Sequence, residues 1–287
     1  MSHTGHYTYA EVEKIAEYLL EKAPGKWKIG IVCGTGLGSL ADTLENANSF
    51  DYEDIPNFPV STVPGHAGKL VFGHIGGKSV VCMKGRFHMY EGYPASTVTL
   101  PIRVMKLLGV EVLLVTNAAG AVNKSYKTGD LMMLKDHIFL PGLAGSNPLV
   151  GTNDERFGPR FPASSVIYQP SFRKLARQAA TELGLEKYLH EGVYGMNGGP
   201  SFESIAECGL FLKLGADVLG MSTCPETVVA SHCGIQVFGM SLVTNECVVD
   251  YESEKSANHA EVLEAGDARS KDVQNFIIKL VGLLPVS

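Results

Sequence analysis

The chain has 287 residues, of which 45% are hydrophobic and 19% are charged, a balance that fits a folded globular protein and argues against intrinsic disorder. Its 24 lysines and arginines and 30 aspartates and glutamates give a formal net charge of -6, and no basic cluster matches a nucleic-acid-binding surface. No run reaches the ~18 to 20 apolar residues of a membrane span, and the polar residues 1–11 lack the apolar core of a signal peptide. We therefore expect a cytoplasmic protein with no nucleic-acid or membrane partner.

Helical patterns open and close the chain. Thr8 and Glu11 form a capping box ahead of apolar residues at helical spacing, and Pro24 ends that run. Apolar residues recur with the same period from Val273 to Leu284, which predicts a closing helix. Between these helices, short apolar and β-branched runs predict strands at 29–33, 70–75, 79–83, 112–116, 131–134, 218–222 and 237–244.

The character of these strands predicts the fold class. Continuous apolar runs suit strands that are covered on both faces by helices. We predict an α/β fold with a central mixed β-sheet flanked by helices, formed by residues 1–287 as a single domain. Several strands run into small or polar residues at their carboxyl ends, which is where open α/β sheets bind ligands. The long loop at 141–162, rich in Gly, Pro and Asn, is also expected to be functional.

A glycine-rich segment at 34–38 follows the first predicted strand and precedes a helix-compatible stretch. Its backbone N–H groups can converge on an anion, and Thr35 adds a hydroxyl donor. An ordinary strand-to-helix turn fits the same residues equally well. Ser39 stands where a dinucleotide-binding fingerprint has glycine, and no Gly-Lys-Ser/Thr follows to make a Walker loop.

Two histidine-containing segments are further candidates. Arg86 precedes His88 by two residues, so in an extended backbone both side chains point the same way and could clamp a phosphate. The alternative is a surface arginine and a structural histidine. His66 lies in a Gly-rich turn that could form a mobile lid, or it is an ordinary loop histidine.

Other polar residues also have two interpretations. Glu203 follows a Gly-Gly-Pro turn and is either a first-turn carboxylate favoured by a helix dipole or an acceptor for a heterocycle. Asn245 either ends a strand or reads a base edge through its amide. Judged alone, Met221 is expected in the core and His259 on a helix surface.

The cysteines and histidines predict no metal site. No C-x-x-C pair, paired cysteine spacing or H-x-x-x-H supplies ligands, and no G-x-S-x-G elbow indicates a serine hydrolase. Several of the cysteines lie inside apolar runs, so we expect all six to be reduced core residues: Cys33, Cys82, Cys208, Cys224, Cys233 and Cys247.

Taken together, the motifs resemble those of the trimeric family of purine nucleoside phosphorylases, in order along the chain from about residue 10. The matching segments are 34–38, 63–66, 85–92, 116–120, 153–158, 199–203, 220–223, 244–245 and 250–253. The resemblance implies reversible phosphorolysis of 6-oxopurine ribo- and deoxyribonucleosides, such as inosine and guanosine, to the base and (deoxy)ribose 1-phosphate in purine salvage. It implies a homotrimer that binds nucleoside and phosphate as substrates and needs no cofactor or metal.

The resemblance also implies roles for individual residues. The phosphate site would comprise Thr35, Arg86, His88, the backbone at Ala118, and Ser222. Ribose would lie near Tyr90, Met221 and His259, and the purine would contact Phe202, Glu203 and Asn245. The catalytic residues would be His88, Glu203 and Asn245. His66 would belong to a lid, and Phe161 would reach into the site of a neighbouring subunit.

The sequence departs from the family pattern beside these sites. Thr35 replaces a usual serine, Asn197-Gly198 replaces an apolar pair, and Glu246-Cys247 replaces a basic and an aliphatic residue. We expect altered base specificity, with Glu246 accepting a hydrogen bond from amino-bearing bases, even cytosine. The alternatives are 5′-methylthioadenosine phosphorylase, which typically has aspartate where Asn245 stands, a non-catalytic nucleoside-binding protein and, more distantly, a dinucleotide-dependent oxidoreductase.

Overall fold

The computed structural model of the protein describes residues 7–62, 68–253 and 258–286, without the side chain of His259. Its α-helices are α1 (Tyr9–Lys22), α2 (Ala95–Val98), α3 (Leu100–Leu107), α4 (Pro170–Leu183), α5 (Ile205–Leu214), α6 (Cys224–His232) and α7 (His259–Leu283). Its strands are β1 (Ile29–Cys33), β2 (Glu45–Asp51), β3 (Lys69–Ile75), β4 (Lys78–Lys84), β5 (Val112–Ala121), β6 (Leu131–Phe139), β7 (Leu189–Met196), β8 (Val218–Gly220) and β9 (Gln236–Glu246). None of the described helices is long and apolar enough to cross a bilayer.

All of these strands belong to one mixed sheet in the order β2-β3-β4-β1-β5-β8-β7-β6-β9. β1 pairs in parallel with β4 and β5, whereas β3 pairs antiparallel with β2 and β4. β9 pairs with both β6 and β5, so the strands from β5 to β9 form a closed circuit. The predicted α/β fold with a mixed sheet is confirmed, and the extent of a single domain over residues 1–287 stays a prediction.

Helices cover both faces of the sheet. Successive residues of β1 enter different clusters, with Val32 packing into the cluster that contains α1 and α3 and Ile31 packing into the cluster that contains α4 and α7. This arrangement explains why β1 is apolar throughout, because each face of the strand is buried. The sheet therefore acts as a rigid base for the loops at its edge.

The two terminal helices form where the sequence predicts them. The Thr8 side chain accepts a hydrogen bond from the Glu11 N–H at 3.3 Å, and Glu11 accepts one from the Thr8 N–H at 2.7 Å, which completes the capping box. α7 ends near the predicted residue but begins much earlier, at His259, because the Asn258 side chain caps it by accepting from the Glu261 N–H at 3.0 Å.

The strand predictions are confirmed at their cores and differ at their ends. β5 and β6 extend beyond 112–116 and 131–134, and β8 ends at Gly220 rather than at residue 222. β2 was not predicted because its first five residues are exposed and supply no apolar run. β7 was missed because His190 and Glu191 interrupt its apolar pattern.

The parallel registers bring several strand ends to one edge of the sheet. Cys33 of β1 lies beside Lys84 of β4, and Gly120 of β5 lies beside Asn245 of β9. The residues that follow β1 and β4 therefore face the carboxyl ends of β5 and β9, at the edge where α/β proteins bind ligands.

Candidate active site

A cavity of about 570 Å³ opens at this edge of the sheet. It brings together most of the residues that the sequence predicts for a substrate site, although they come from distant segments. Those that line it are Thr35, Arg86, His88, Tyr90, Ala118, Phe202, Glu203, Met221, Ser222 and Asn245.

Three predicted residues do not contribute to this cavity in the described structure. His66 lies outside the described residues, as does the side chain of His259. Phe161 is 88% exposed and lines a separate pocket of about 340 Å³. Its predicted contact with a neighbouring subunit stays a prediction.

Arg86 is a permanent positive charge that lines the cavity and is only 1% exposed. Its Nε and Nη2 donate to the two carboxylate oxygens of Glu226 at 3.2 and 2.9 Å. Its Nη1 donates to the Thr116 carbonyl at 2.7 Å and to the Ser222 hydroxyl at 3.3 Å. These bonds hold the guanidinium in one orientation, next to the hydroxyl that shares its predicted role, so the alternative of a surface arginine is wrong.

Glu226 is placed by the start of α6. It forms a capping box with Thr223, whose N–H donates to the Glu226 carboxylate at 3.0 Å. Thr223 has φ 73, a left-handed conformation that is costly for a β-branched residue. The Asn117 amide donates to the Thr223 hydroxyl at 2.9 Å, so a hydrogen-bond network sustains the turn that presents Ser222.

His88 is held from one side by Glu91. The His88 backbone N–H donates to Glu91 Oε1 at 2.7 Å, and His88 Nδ1 lies 3.1 Å from the same oxygen. The His88 ring also stacks on Tyr90, with ring centroids 4.6 Å apart. Burial lowers the pKa of His88, and the hydrogen bond to Glu91 only partly opposes that shift. The imidazole is therefore neutral near pH 7.

Glu91 connects His88 to the segment before residues 63–67. Its Oε2 accepts from the Thr62 N–H at 2.8 Å and from the Thr62 hydroxyl at 2.7 Å. Burial alone would raise the pKa of Glu91, but the hydrogen bonds from His88 and Thr62 outweigh it and lower that pKa to about 2. Because an ionised carboxylate only accepts, Nδ1 of neutral His88 must be the donor, which leaves Nε2 as the acceptor nitrogen of the ring.

The glycine-rich segment passes very close to β5. A Cβ at Gly34 would lie 2.7 Å from the Asn117 Cα, and Gly36 has φ 76, so both positions favour glycine. The Gly34 N–H donates to the Thr116 hydroxyl at 3.1 Å. A 3-10 helix, Gly38–Thr43, follows the loop rather than an α-helix. The segment thereby carries Thr35 to the cavity.

Glu203 lines the same cavity as Arg86, together with apolar residues such as Phe202 and Ile205. It precedes Ser204, the N-cap of α5, and the first-turn carboxylate is Glu207, so the first-turn interpretation of Glu203 is wrong. The Asn197 amide donates a short hydrogen bond to Glu203 Oε1, and Asn197 Oδ1 accepts from the Gly199 N–H at 2.6 Å. Burial raises the pKa of Glu203, and hydrogen bonds from its own backbone and from Asn197 partly offset the rise.

Asn245 is 7% exposed at the end of β9. The Thr244 hydroxyl donates to its Oδ1 at 3.2 Å, which assigns Nδ2 as the donor end of the amide. A Cβ at Gly120 would lie 3.0 Å from Asn245 Nδ2 and 2.8 Å from Cys247 Sγ. Glycine at 120 therefore leaves the room that these two side chains occupy.

Comparisons with known proteins identify the family. The model of the Phosphorylase superfamily matches residues 28–282. Purine nucleoside phosphorylase of Bos taurus is 52% identical over 281 residues, which cover 98% of this chain and 97% of that protein. Purine nucleoside phosphorylase 1 of Geobacillus stearothermophilus is 47% identical over 270 residues, covering 94% of this chain and 96% of that protein. The chain belongs to the purine nucleoside phosphorylase family.

Solved structures agree with this membership. Schistosoma mansoni purine nucleoside phosphorylase in complex with adenosine has a TM-score of 0.94 and 52% identity, covering 98% of this chain and 99% of that one. Isoform 2 of the Schistosoma mansoni enzyme, in complex with cytosine and ribose-1-phosphate, has a TM-score of 0.95 and 45% identity, covering 99% and 100%. The alternatives of a methylthioadenosine phosphorylase, a non-catalytic binding protein and a dinucleotide-dependent oxidoreductase are not favoured.

The departures from the purine nucleoside phosphorylase pattern differ in where they lie. Thr35 and Cys247 line the cavity, and Asn197 holds Glu203. Glu246 does not line it: neighbouring residues of a strand alternate in direction, and Glu246 points outward to Lys127 at 3.3 Å. In this structure the predicted contact of Glu246 with a base amine is therefore wrong. A Cβ at Gly198 would meet Pro141 at 3.9 Å, an ordinary contact, so nothing there requires glycine.

The cysteines are all free, as predicted, and five of the six are buried, whereas Cys247 is partly exposed. Sequence reasoning missed three residues that position the site of this phosphorylase family member: Glu91, Asn197 as a partner of Glu203, and Glu226. The Thr-x-x-Glu pattern at 223–226 gave a signal for a helix start. No signal in the sequence indicated that its glutamate pairs with Arg86.

Proposed function

We propose that this cavity catalyses the reversible phosphorolysis of 6-oxopurine ribo- and deoxyribonucleosides, including inosine and guanosine. The products are the free base and (deoxy)ribose 1-phosphate. One observation carries the proposal: Arg86, Ser222, Glu203 and Asn245 line one cavity. We assign Arg86 and Ser222 to an anion-binding end, and Glu203 and Asn245 to a base-reading end. A purine nucleoside with phosphate beside its sugar likewise has an anion at one end and a base at the other.

Phosphate binds at the first end, where it is a co-substrate and no cofactor or metal takes part. Arg86 supplies the charge, and Thr35, Ser222 and the backbone at Ala118 supply neutral donors. Because Glu226 already orients the guanidinium, little reorganisation is needed when the anion arrives. Neutral His88 offers Nε2 as an acceptor for a phosphate or sugar hydroxyl.

Ribose lies between the two ends, beside Tyr90, Met221 and His259. As the glycosidic bond breaks, the sugar gains oxocarbenium character, and the phosphate below it stabilises that charge and then attacks the anomeric carbon. Holding phosphate in line with this carbon lowers the activation barrier by up to about 7 to 11 kcal/mol through positioning. The His88 ring stacks on the Tyr90 ring, and this contact fixes the position of both side chains beside the ribose.

The purine binds at the second end and leaves with negative charge. Asn245 Nδ2 donates to that charge at N7 or the six-position oxygen, and a donor of this kind is worth about 3 kcal/mol in the transition state. Glu203 accepts the N1 hydrogen, which only a 6-oxopurine carries, and Phe202 packs on the ring. His88, Glu203 and Asn245 are thus the catalytic residues that we propose.

Relatives support this substrate class. Schistosoma mansoni purine nucleoside phosphorylase is solved with inosine, and Schistosoma purine nucleoside phosphorylase is solved with hypoxanthine and with guanosine. A further purine nucleoside phosphorylase structure holds ribose-1-phosphate. One Schistosoma mansoni structure holds adenosine and isoform 2 holds cytosine. We also propose that this chain accepts amino-bearing bases more weakly than 6-oxopurines, because adenine carries no N1 hydrogen for Glu203 to accept.

We further propose a homotrimer in which Phe161 completes the cavity of a neighbouring subunit and a lid around His66 closes over the nucleoside. Three apolar side chains of the long loop support an interface, since Leu143, Val150 and Phe161 are 80%, 57% and 88% exposed in the single chain. The free cysteines fit a reducing compartment, in keeping with cytoplasmic purine salvage.

The proposal is tested with a panel of nucleosides, each incubated with and without phosphate while free base and ribose 1-phosphate are measured. We expect inosine and guanosine to yield both products in equal amounts and only with phosphate, and adenosine and cytidine to react more slowly. Base released at the same rate without phosphate would indicate a hydrolase and overturn the proposal.

A further inference from the structure

Two thiols and a carboxylate meet at the base end of the cavity. The ligand atoms of Glu203, Cys208 and Cys247 all lie within 4.8 Å of one another, and all three residues line the cavity. Within residues 7–62, 68–253 and 258–286, no other group of three such side chains is arranged to hold a metal ion. Their spacing in the sequence gave no sign of this, because they come from a turn, a helix and a strand end.

The donor set suits a thiophilic cation. Zn²⁺ binds cysteine sulfur at about 2.3 Å and carboxylate oxygen at about 2.0 to 2.2 Å in tetrahedral geometry. Those lengths place two sulfurs about 3.8 Å apart, so three atoms within 4.8 Å need only a small adjustment. The Cys208 and Cys247 thiols already share a hydrogen bond.

The backbone and neighbouring side chains hold these ligands in place. Cys208 is 1% exposed on α5, and the Cys247 N–H donates to the Ala121 carbonyl at 2.8 Å. Asn197 donates to Glu203, as an outer partner does for a metal-bound carboxylate. Gly120 leaves room for the Cys247 sulfur, since a Cβ there would lie 2.8 Å from it.

We propose that Cys208, Cys247 and Glu203 bind Zn²⁺ or a similar thiophilic divalent cation, with a water molecule on the fourth position. Binding releases the thiol protons to solvent. The ion occupies the carboxylate that we assign to the purine, so metal and base exclude one another. That exclusion rests on the proposed function, whereas metal binding itself does not.

Cys247 supplies one of the two thiols of the site. Cys247→Val removes that sulfur, and with it one ligand, while keeping an apolar side chain at this position.

Binding is measured first on the reduced protein without nucleoside, by titration with Zn²⁺ and by the ultraviolet absorption of Cd²⁺–thiolate bonds. We expect one tightly bound ion and two thiolate bonds per chain. Cys247→Val should weaken binding by more than the about 10- to 100-fold typical of losing an outer-shell partner. The control is Cys82→Ala, because Cys82 and Cys33 are also paired, at 3.4 Å, but lie in the core and outside the cavity.

The second measurement is competition. Zn²⁺ should raise the KM for inosine without raising the KM for phosphate, and hypoxanthine should displace Cd²⁺ from the thiolates. Equal Zn²⁺ affinity in wild type and Cys247→Val, or no Cd²⁺–thiolate band, would overturn the metal site even if phosphorolysis is observed. A normal Cd²⁺ band in a protein that cleaves no nucleoside would instead overturn the proposed function and leave the metal site standing.

Discussion

Glu226 accepts hydrogen bonds from both Nε and Nη2 of Arg86, at 3.2 and 2.9 Å, with the two side chains 2% and 1% exposed. The carboxylate neutralises a charge that is almost fully buried. It also fixes the plane of the guanidinium, whose Nη1 reaches Ser222. The proposed phosphate site therefore depends on a residue that need not touch phosphate itself.

Replacing this carboxylate should impair both folding and phosphate binding. For Glu226→Gln we expect a loss of stability of up to about 3 to 5 kcal/mol, because removing one partner leaves the other charge uncompensated. We also expect the KM for phosphate to increase by a larger factor than the KM for inosine. Urea unfolding and steady-state kinetics measure the two effects. Glu246→Gln is the control: its ion pair is half-exposed, so it should change stability by less than about 1 kcal/mol. Equal effects of both substitutions would contradict the assigned role of Glu226.

Protonation of Glu203 should cause the loss of activity at low pH, which is the acid limb of the pH profile. The carboxylate must be ionised to accept the N1 hydrogen, and burial raises its pKa above the ordinary value. We therefore expect kcat/KM for inosine to fall as the pH is lowered, beginning at a higher pH than an exposed glutamate would give. His88 contributes no loss near neutrality because its pKa is lowered. Glu203→Gln should abolish the acid limb along with most activity, and an unchanged limb in that variant would refute the assignment.

Asn197 should set the position of that limb. Its hydrogen bond lowers the pKa of Glu203, so Asn197→Val should raise the pKa, move the acid limb to higher pH and increase the KM for inosine. The KM for phosphate should stay the same, since Asn197 does not line the phosphate end. A pH profile identical to that of the wild type, in a variant that folds normally, would show that Asn197 does not orient Glu203.

Glu91 should contribute stability in a defined pH range. Hydrogen bonds from His88 and Thr62 lower its folded pKa to about 2, so its stabilisation is fully present above the ordinary glutamate pKa and is lost as the pH falls toward the folded value. Glu91→Gln should therefore lower Tm at pH 7 and have a progressively smaller effect below about pH 4.3. A difference in Tm that grows with acidity would have the wrong sign. The same variant should raise the KM for phosphate by releasing His88.

The role of Phe161 can be tested by mixing subunits. If Phe161 acts in a neighbouring cavity, Phe161→Ala and Arg86→Ala homo-oligomers should both be impaired, whereas mixed oligomers should contain some cavities with an intact Arg86 and an intact neighbouring Phe161. Co-expression should then restore activity above the average of the two variants. Activity equal to that average would show that Phe161 does not act in the cavity of a neighbouring subunit. A monomer in analytical ultracentrifugation would exclude the trimer.

The sequence predicted what depends on local pattern. β1, β4 and β9 follow from continuous apolar runs, and the motifs gave ten of the described residues that line the cavity. β2 and β7 were not predicted because their packing, rather than an apolar run, makes them strands. Pairings between distant side chains were also hidden: Arg86 and Glu226 are 140 residues apart, and only the order of strands in the sheet brings them together.

The sequence also could not show to which side of a strand a given side chain points. Glu246 and Cys247 are adjacent, and both depart from the family pattern, yet only Cys247 faces the cavity. A one-residue difference along an extended backbone reverses the side to which a side chain points, and the exact end of β9 decides which residue that is.

The most direct test of the central claim follows the oxygen atoms of phosphate. The protein is incubated with inosine and phosphate labelled with heavy oxygen in ordinary water, and the ribose product is analysed by mass spectrometry. If phosphate attacks the anomeric carbon, ribose 1-phosphate will retain every labelled oxygen and hypoxanthine will form in equal amount. Unlabelled free ribose, carrying oxygen from water, would contradict phosphorolysis at this site.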